Sequence, residues 1–302
     1  MEKICTIIVT YNPNLTDFST VLDSHTQTGD NEVIVVDNGS HNNAEILKIV
    51  NAKKISIISL QENMGIGYAQ NIGIKSAKIK GGKYIILFDQ DTIVTPNYAE
   101  SILEYYKEIS KDEKVATIGP NYYDAKTNEV YPQIVLNGIK LNKIFPKPEH
   151  GNFTFVSFII ASGSFYDIDI FDEVGVMDEK LFIDCVDIEW CFRAFKKGYK
   201  TYVCNKLMIS HTIGDQRKKS LGREISIHAP IRKYYMARNN ILLIRKNSIP
   251  VSYKIRKLFG IPLYMSLYLY DVGFAKEYVK FIFNGLKDGI IGKDGKYEKY
   301  RK

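Results

Sequence analysis

Five short apolar runs, each closed by a polar or glycine-rich segment, constrain this chain more than any other feature. CTIIV (5–9), EVIVVD (32–37), ISIISL (55–60), KYIILFD (83–89) and VATIG (115–119) are rich in β-branched residues, and stretches of helical period lie between them. Strands interleaved with helices in this way build βαβ units and a mostly parallel sheet covered on both faces. Ligands of such sheets bind beyond the carboxyl ends of the strands. The residues found there are TYN (10–12), DNGS (37–40), QENMGIG (61–67) and DQD (89–91), which together predict one polar cleft rim.

The rest of the chain divides by pattern and by charge. Residues 120–150 read as a hairpin with a loop, 153–166 as one buried strand followed by a Ser/Gly turn, and 199–204 as a further strand. A helix is expected over 186–198, with Ile188, Cys191, Phe192 and Phe195 on its buried face and Gly198 as its stop. Beyond it, 227–247 and 252–286 read as two long helical stretches. Residues 1–216 carry 21 Lys and Arg against 28 Asp and Glu, whereas residues 217–302 carry 20 against 6. The expected organisation is therefore an α/β unit over 1–215 and a basic, aromatic-rich helical region over 216–302.

At 45% hydrophobic and 25% charged residues, the chain has the composition of a globular protein, which excludes disordered, collagenous and coiled-coil classes. Its four cysteines form no CxxC pair, so neither a zinc cage nor a disulfide framework is expected. The first apolar run is shorter than a signal-peptide core, and no apolar stretch reaches the roughly 18 residues of a membrane span. The expectation is a cytoplasmic protein with reduced thiols and no transmembrane helix.

Asp89 and Asp91 follow an apolar strand at i and i+2, where two carboxylates converge on a hard divalent cation as readily as they form a polar turn. Asp37 precedes an Asn-Gly turn and is placed to accept from the imide N–H of a pyrimidine, and Thr10, Tyr11 and Asn12 offer an aromatic face and polar groups to the same base. Each of these is equally an ordinary strand-to-helix loop. Gly65-Ile66-Gly67 has Gln70 where a dinucleotide fingerprint needs its third glycine, and it follows the third strand rather than the first, which disfavours a dehydrogenase. Asp184, Asp187 and Glu189 cluster at the start of the 186–198 helix. They serve as caps, or one of them serves as a general base in the cleft. His211 is a third metal ligand or a plain loop histidine.

In combination, IIVTYN, VVDNGS, ENMGIGYAQNIGI, LFDQDT, IASGSFY, MDEKLFIDCVDIEWCFRAFKKGYK, SHTIGD and YYMARNN resemble the inverting nucleotide-sugar glycosyltransferases of family 2 over residues 4–245. Within that family the chain looks most like the bacterial rhamnosyltransferases that build O-antigen, capsule and other surface polysaccharide. The resemblance implies a GT-A fold with a C-terminal helical extension. It also implies a nucleotide site at Thr10, Tyr11, Asn12, Asp37, Asn63, Gly67, Asn71 and Asp89, and Mg²⁺ or Mn²⁺ held by Asp89 and Asp91 with His211 as a further contact. Asp187 becomes the expected base. Val186 stands where the family often has Glu, so Asp184 stays as a second candidate. Arg238 and Asn239 are expected near a donor diphosphate or a lipid phosphate.

The partners so implied are dTDP-L-rhamnose, a lipid-linked saccharide acceptor and the inner face of the cell membrane, where Lys and Arg meet anionic headgroups. Three other readings stand beside this one. The donor is another nucleotide sugar, such as a UDP-hexose or a furanose donor; the basic helices only cap the sheet or form a homo-oligomer interface; or the chain binds a nucleotide or nucleic acid without catalysis. The acidic cluster at 184–189 opposes the last of these, as does the lack of any nucleic-acid motif in the basic region.

Overall fold

A computed structural model describes residues 2–26, 31–124, 127–210, 216–220 and 223–297. The chain runs β1 (Ile4–Thr10), α1 (Leu15–Thr26), β2 (Glu32–Asp37), α2 (Asn43–Ala52), β3 (Ser56–Ser59), α3 (Ile66–Ile79), β4 (Tyr84–Asp89), α4 (Tyr98–Ile109) and β5 (Val115–Tyr123). The hairpin β6 (Gln133–Asn137) and β7 (Lys140–Ile144) follows, then β8 (Phe153–Val156), β9 (Ser164–Asp167), α5 (Ile170–Val174), α6 (Val186–Lys196) and β10 (Lys200–Ser210). A second hairpin, β11 (Gln216–Ser220) and β12 (Arg223–Ile227), precedes three helices, α7 (Pro230–Arg245), α8 (Val251–Asp271) and α9 (Lys276–Ile291).

Eight strands form the central sheet in the order β3-β2-β1-β4-β9-β5-β10-β8. The first four pair in parallel, as do β5 and β10, while β9 is antiparallel to β4 and β5, and β8 to β10. Alternation along β1 sends Cys5, Ile7 and Val9 to a core shared with α3 and α6, and Ile4 and Ile8 to a core shared with α1, α2 and α4. All seven residues of β1 are therefore buried. All four cysteines are free.

Two expectations are corrected. The run 153–166 is two strands, because residues 157–163 leave the edge of the sheet, cross its end and re-enter between β4 and β5 as β9. An uninterrupted apolar run carries no mark of that exit. The expected second helical stretch is likewise two helices, divided by a turn with Gly273 and Phe274 both at positive φ. On α6 the buried face contains Trp190, Cys191, Phe192 and Ala194, while Phe195 is half exposed.

The basic region is not separate from the sheet. Leu243, Ile249 and Tyr253 join the same core as Trp190 and Phe192, whereas Ala237, Ile261, Met265, Tyr268 and Ile282 form a core among α7, α8 and α9. Among the described residues, no helix is long and apolar enough to cross a membrane.

Candidate active site

The carboxyl ends of β1 and β4 lie side by side, with Val9 opposite Asp89, and they open into a cleft of about 550 Å³. That volume falls within the range of small-molecule sites. One wall carries Thr10, Tyr11, Asn38 and Asn63, the sheet end carries Asp89, Gln90 and Asp91, and the far wall is Phe182 to Ile188 with Arg232. Strand ends that the sequence singled out thus share one space with Asp184 and Asp187, more than 90 residues beyond Asp91.

The sheet end is braced from within. The backbone N–H of Asp89 donates to Ser162 Oγ at 3.2 Å, and Ser162 lies 2.7 Å from the Thr92 hydroxyl, so the IASGSFY segment fixes the turn that bears the two aspartates. Gln90 Oε1 accepts from the Thr10 hydroxyl at 2.9 Å and from the Tyr11 N–H at 2.7 Å. It joins the DQD turn to the TYN loop and leaves the Tyr11 ring 40% exposed on the rim. Asn38 donates to Asn63 at 3.2 Å and accepts from the Met64 N–H at 2.9 Å, which ties the second and third strand ends together.

Not every expected residue reaches the cleft. Asp37 is fully buried behind the rim, where its carboxylate accepts from the Ser40 hydroxyl and N–H and from Asn43 Nδ2. In this conformation it holds the DNGS turn. Asn12 takes a positive φ, donates from its N–H to Ser40 and accepts from the His41 N–H, so it too serves the turns. Asn71 gives its amide to the Met177 carbonyl and to Glu179, and accepts from the Met177 N–H. Gly67 lets α3 approach Asp178 and Val186.

Arg238 and Asn239 lie in the core with no exposed surface and bind backbone carbonyls rather than the cleft, because helical period alone does not tell an inward basic residue from an outward one. His211 lies outside the described residues.

The acidic cluster separates into three roles. Glu189 is buried away from the cleft and pairs with Arg193 and Lys246. Asp184 lies on the wall and meets the Arg232 guanidinium, with contacts of 3.1 and 3.3 Å. Asp187, in the first turn of α6, lines the cleft and accepts from the Ile188 N–H at 2.8 Å. Burial pushes its carboxyl up to about 6, and the nearby charges of Asp184 and Asp89 add to the rise. Neither aspartate caps the helix. The cap position is Cys185, at φ 68°, with no side-chain cap bond.

Sequence reasoning missed Gln70, Gln90 and Arg232. Gln70 lines the cleft from α3 with only 3% exposure, and its Oε1 has no hydrogen-bond partner among the described residues, an arrangement that a ligand donor would complete. Its only signal was the place where a third fingerprint glycine was absent. Asp89 and Asp91 offer the oxygen donors that Mg²⁺ and Mn²⁺ take, and such ions are commonly held by one or two carboxylates plus substrate phosphate. Among the described residues no group of three His, Cys, Asp or Glu side chains converges, so the fit is to that open kind of site.

Known proteins place the cleft in a family. Residues 5–175 match the model of glycosyl transferase family 2. The dTDP-rhamnosyl transferase RfbF of Shigella flexneri is 35% identical over 297 residues, which is 97% of each chain. The poly(ribitol-phosphate) β-N-acetylglucosaminyltransferase TarP of Staphylococcus aureus is 26% identical over 125 residues, or 39% of this chain and 37% of that one. Among solved structures, S. aureus TarS 1–349 in complex with UDP-GlcNAc aligns with a TM-score of 0.61 at 15% identity, covering 96% of this chain and 81% of that one. GalNAc-T7 with UDP, GalNAc and Mn²⁺ aligns at 0.57 and 16% identity, and this chain, 89% covered, spans 57% of it. A mixed, largely parallel sheet whose β4 ends at Asp89, a near-complete match to one such transferase and the matched family model lead to one assignment: the chain is a glycosyltransferase of family 2.

Proposed function

We propose that the cleft transfers L-rhamnose from dTDP-L-rhamnose to a hydroxyl of a lipid-linked saccharide, by single displacement with inversion, at the inner face of the cell membrane during surface polysaccharide synthesis. The donor follows the relative of 35% identity, which is a dTDP-rhamnosyl transferase. The observation that carries the chemistry is the division of labour among carboxylates on one cleft: Asp89 and Asp91 at the sheet end, and Asp187 on the opposite wall without an ion-pair partner among the described residues.

In this reading Tyr11, Thr10, Asn38 and Asn63 hold the nucleoside, and Gln70 accepts from a donor N–H or hydroxyl. Asp89 and Asp91 hold a divalent cation, which supplies Lewis-acid stabilisation of the leaving diphosphate. Asp187 takes the proton of the acceptor hydroxyl as its oxygen bonds to the anomeric carbon, and the bond from that carbon to the diphosphate breaks on the opposite side. Asp187 is preferred to Asp184 because the Arg232 guanidinium already engages the Asp184 carboxylate, whereas Asp187 lines the cleft with no ion pair among the described residues. Arg232 then orients Asp184 at the acceptor side.

Thermal unfolding tests the reading. dTDP with Mn²⁺ at about a hundred times its Kd stabilises the protein by about 2.7 kcal/mol. UDP does so less, and GDP and NAD⁺ not at all. Asp91→Asn removes the metal-dependent part. Stabilisation by no pyrimidine diphosphate would count against the donor site. Stabilisation by UDP in preference to dTDP would favour the alternative donor, because the two differ at the base and the sugar.

A further inference from the structure

The loop that carries the candidate base is held in an unfavourable backbone conformation. Phe182 has φ 64° and ψ −62°, and the Ile183 N–H donates to the Leu181 carbonyl at 2.7 Å, which makes a γ-turn of the rare kind with a positive central φ. Asp184 and Cys185 follow at φ 63° and 68°. Three non-glycine residues out of four thus take positive φ directly before α6. Such conformations persist only where the surroundings over-determine them, and they cluster at functional sites.

Most of what over-determines them comes from α7. Asn239 Nδ2 donates to the carbonyls of Leu181, Ile183 and Asp184 at 2.8, 2.7 and 3.0 Å. Its Oδ1 accepts from Arg238 Nε at 2.9 Å, which orients the amide, while Arg238 donates onward to the Leu181 carbonyl at 3.0 Å and to the Gly295 carbonyl. The Arg238 guanidinium also lies 4.9 Å from the centre of the Tyr235 ring, which stacks on Phe182 at 4.9 Å. From the other side the Ile66 N–H donates to the Phe182 carbonyl at 2.7 Å. Neither Arg238 nor Asn239 reaches the cleft.

We propose that Arg238 and Asn239 are positioning residues for the transfer: from the interior of α7 they hold residues 181–185 in this conformation and so aim Asp184 and Asp187 at the acceptor hydroxyl. The inference rests on Asp187 being the base, and the two fail separately. Turnover by Asp187→Asn near the wild-type rate would remove the base itself. Loss of turnover in that variant, with Asn239 variants unaffected, would overturn only the positioning role.

The test is steady-state kinetics with dTDP-L-rhamnose on Asn239→Ala and Arg238→Lys, alongside dTDP binding by titration calorimetry. A misaimed base lowers kcat by about 30- to 100-fold while dTDP affinity and donor KM stay within about threefold, because the nucleoside wall is untouched. Adding Cys185→Gly to Asn239→Ala gives back part of the lost kcat, since glycine takes positive φ without penalty. Arg238→Lys keeps the buried charge, loses the planar fork and serves as the test if Asn239→Ala does not fold. Two results overturn the proposal: a kcat within twofold of wild type in a folded variant, or dTDP binding and kcat falling together in proportion to the folded fraction.

Discussion

At the scale of single residues, the site turns on how two aspartates three positions apart differ. Asp184 meets a guanidinium, whereas Asp187, half-buried on the cleft wall, has none among the described residues, and desolvation raises its carboxyl to about 6. The base must be ionised to work, so kcat climbs with pH through a midpoint near 6 and is lost below it, and a pH profile reads this directly. The stability sign is the opposite. A raised carboxyl stabilises the fold fully below its unfolded value of about 3.9, and that contribution disappears as pH rises through about 6. Asp187→Asn at neutral pH therefore abolishes turnover and raises the melting temperature by about 3 °C, as removal of a desolvated charge should. A variant that loses turnover and also melts several degrees lower would make Asp187 a structural residue. The aspartates themselves were legible from the sequence as an acidic cluster, but their division was not. It depends on Arg232, 48 residues beyond Asp184, and separation in sequence says nothing of that contact.

At the scale of elements, the βαβ half was readable because alternation and strand-end polarity are local properties, and β1, β2 and β4 lie within a residue of their expected bounds. What was not readable depends on approach between elements. Of the three glycines in GIGYAQNIG, Gly65 meets the loop before α6 as well as the cleft: a Cβ there would lie 2.6 Å from the Phe182 carbonyl oxygen, and Gly65 itself has φ 92°. Gly73 alone meets a strand, at Ile7 of β1. Because Gly65 touches the loop before α6, Gly65→Ala displaces the base as well as straining the turn. It is expected to cost about 1–3 kcal/mol of stability and to lower kcat more than donor KM. Urea unfolding and initial rates on one preparation check both, and an unchanged kcat in a destabilised protein would show that the loop tolerates the shift.

At the scale of the molecule, charge and apolar surface are gathered at one end of the chain. Along α8, Val251, Ile255, Leu258, Phe259 and Leu263 recur at helical spacing and are all exposed, Phe259 at 73%, and Lys254 and Arg256 flank that stripe. On α9 Val279, Phe283 and Ile290 repeat the pattern. Soluble proteins seldom leave such stripes open, and a helix with an apolar face and basic flanks suits an interface between water and lipid. Since Leu243 and Tyr253 sit in the core beneath the sheet, a membrane-bound α8 would hold the cleft at a fixed relation to the surface. Flotation with vesicles decides the matter. The protein is expected to rise with liposomes that contain phosphatidylglycerol and to stay behind with phosphatidylcholine alone, and salt should weaken the binding because the headgroup attraction is screened. Phe259→Glu combined with Leu263→Glu should abolish flotation while leaving dTDP binding intact, as neither residue lines the cleft. Recovery with neither vesicle type would assign the stripe to a second copy of the chain, and sedimentation would then show a dimer that the double substitution breaks; equal recovery with both would leave the apolar stripe bound to lipid but remove the headgroup attraction.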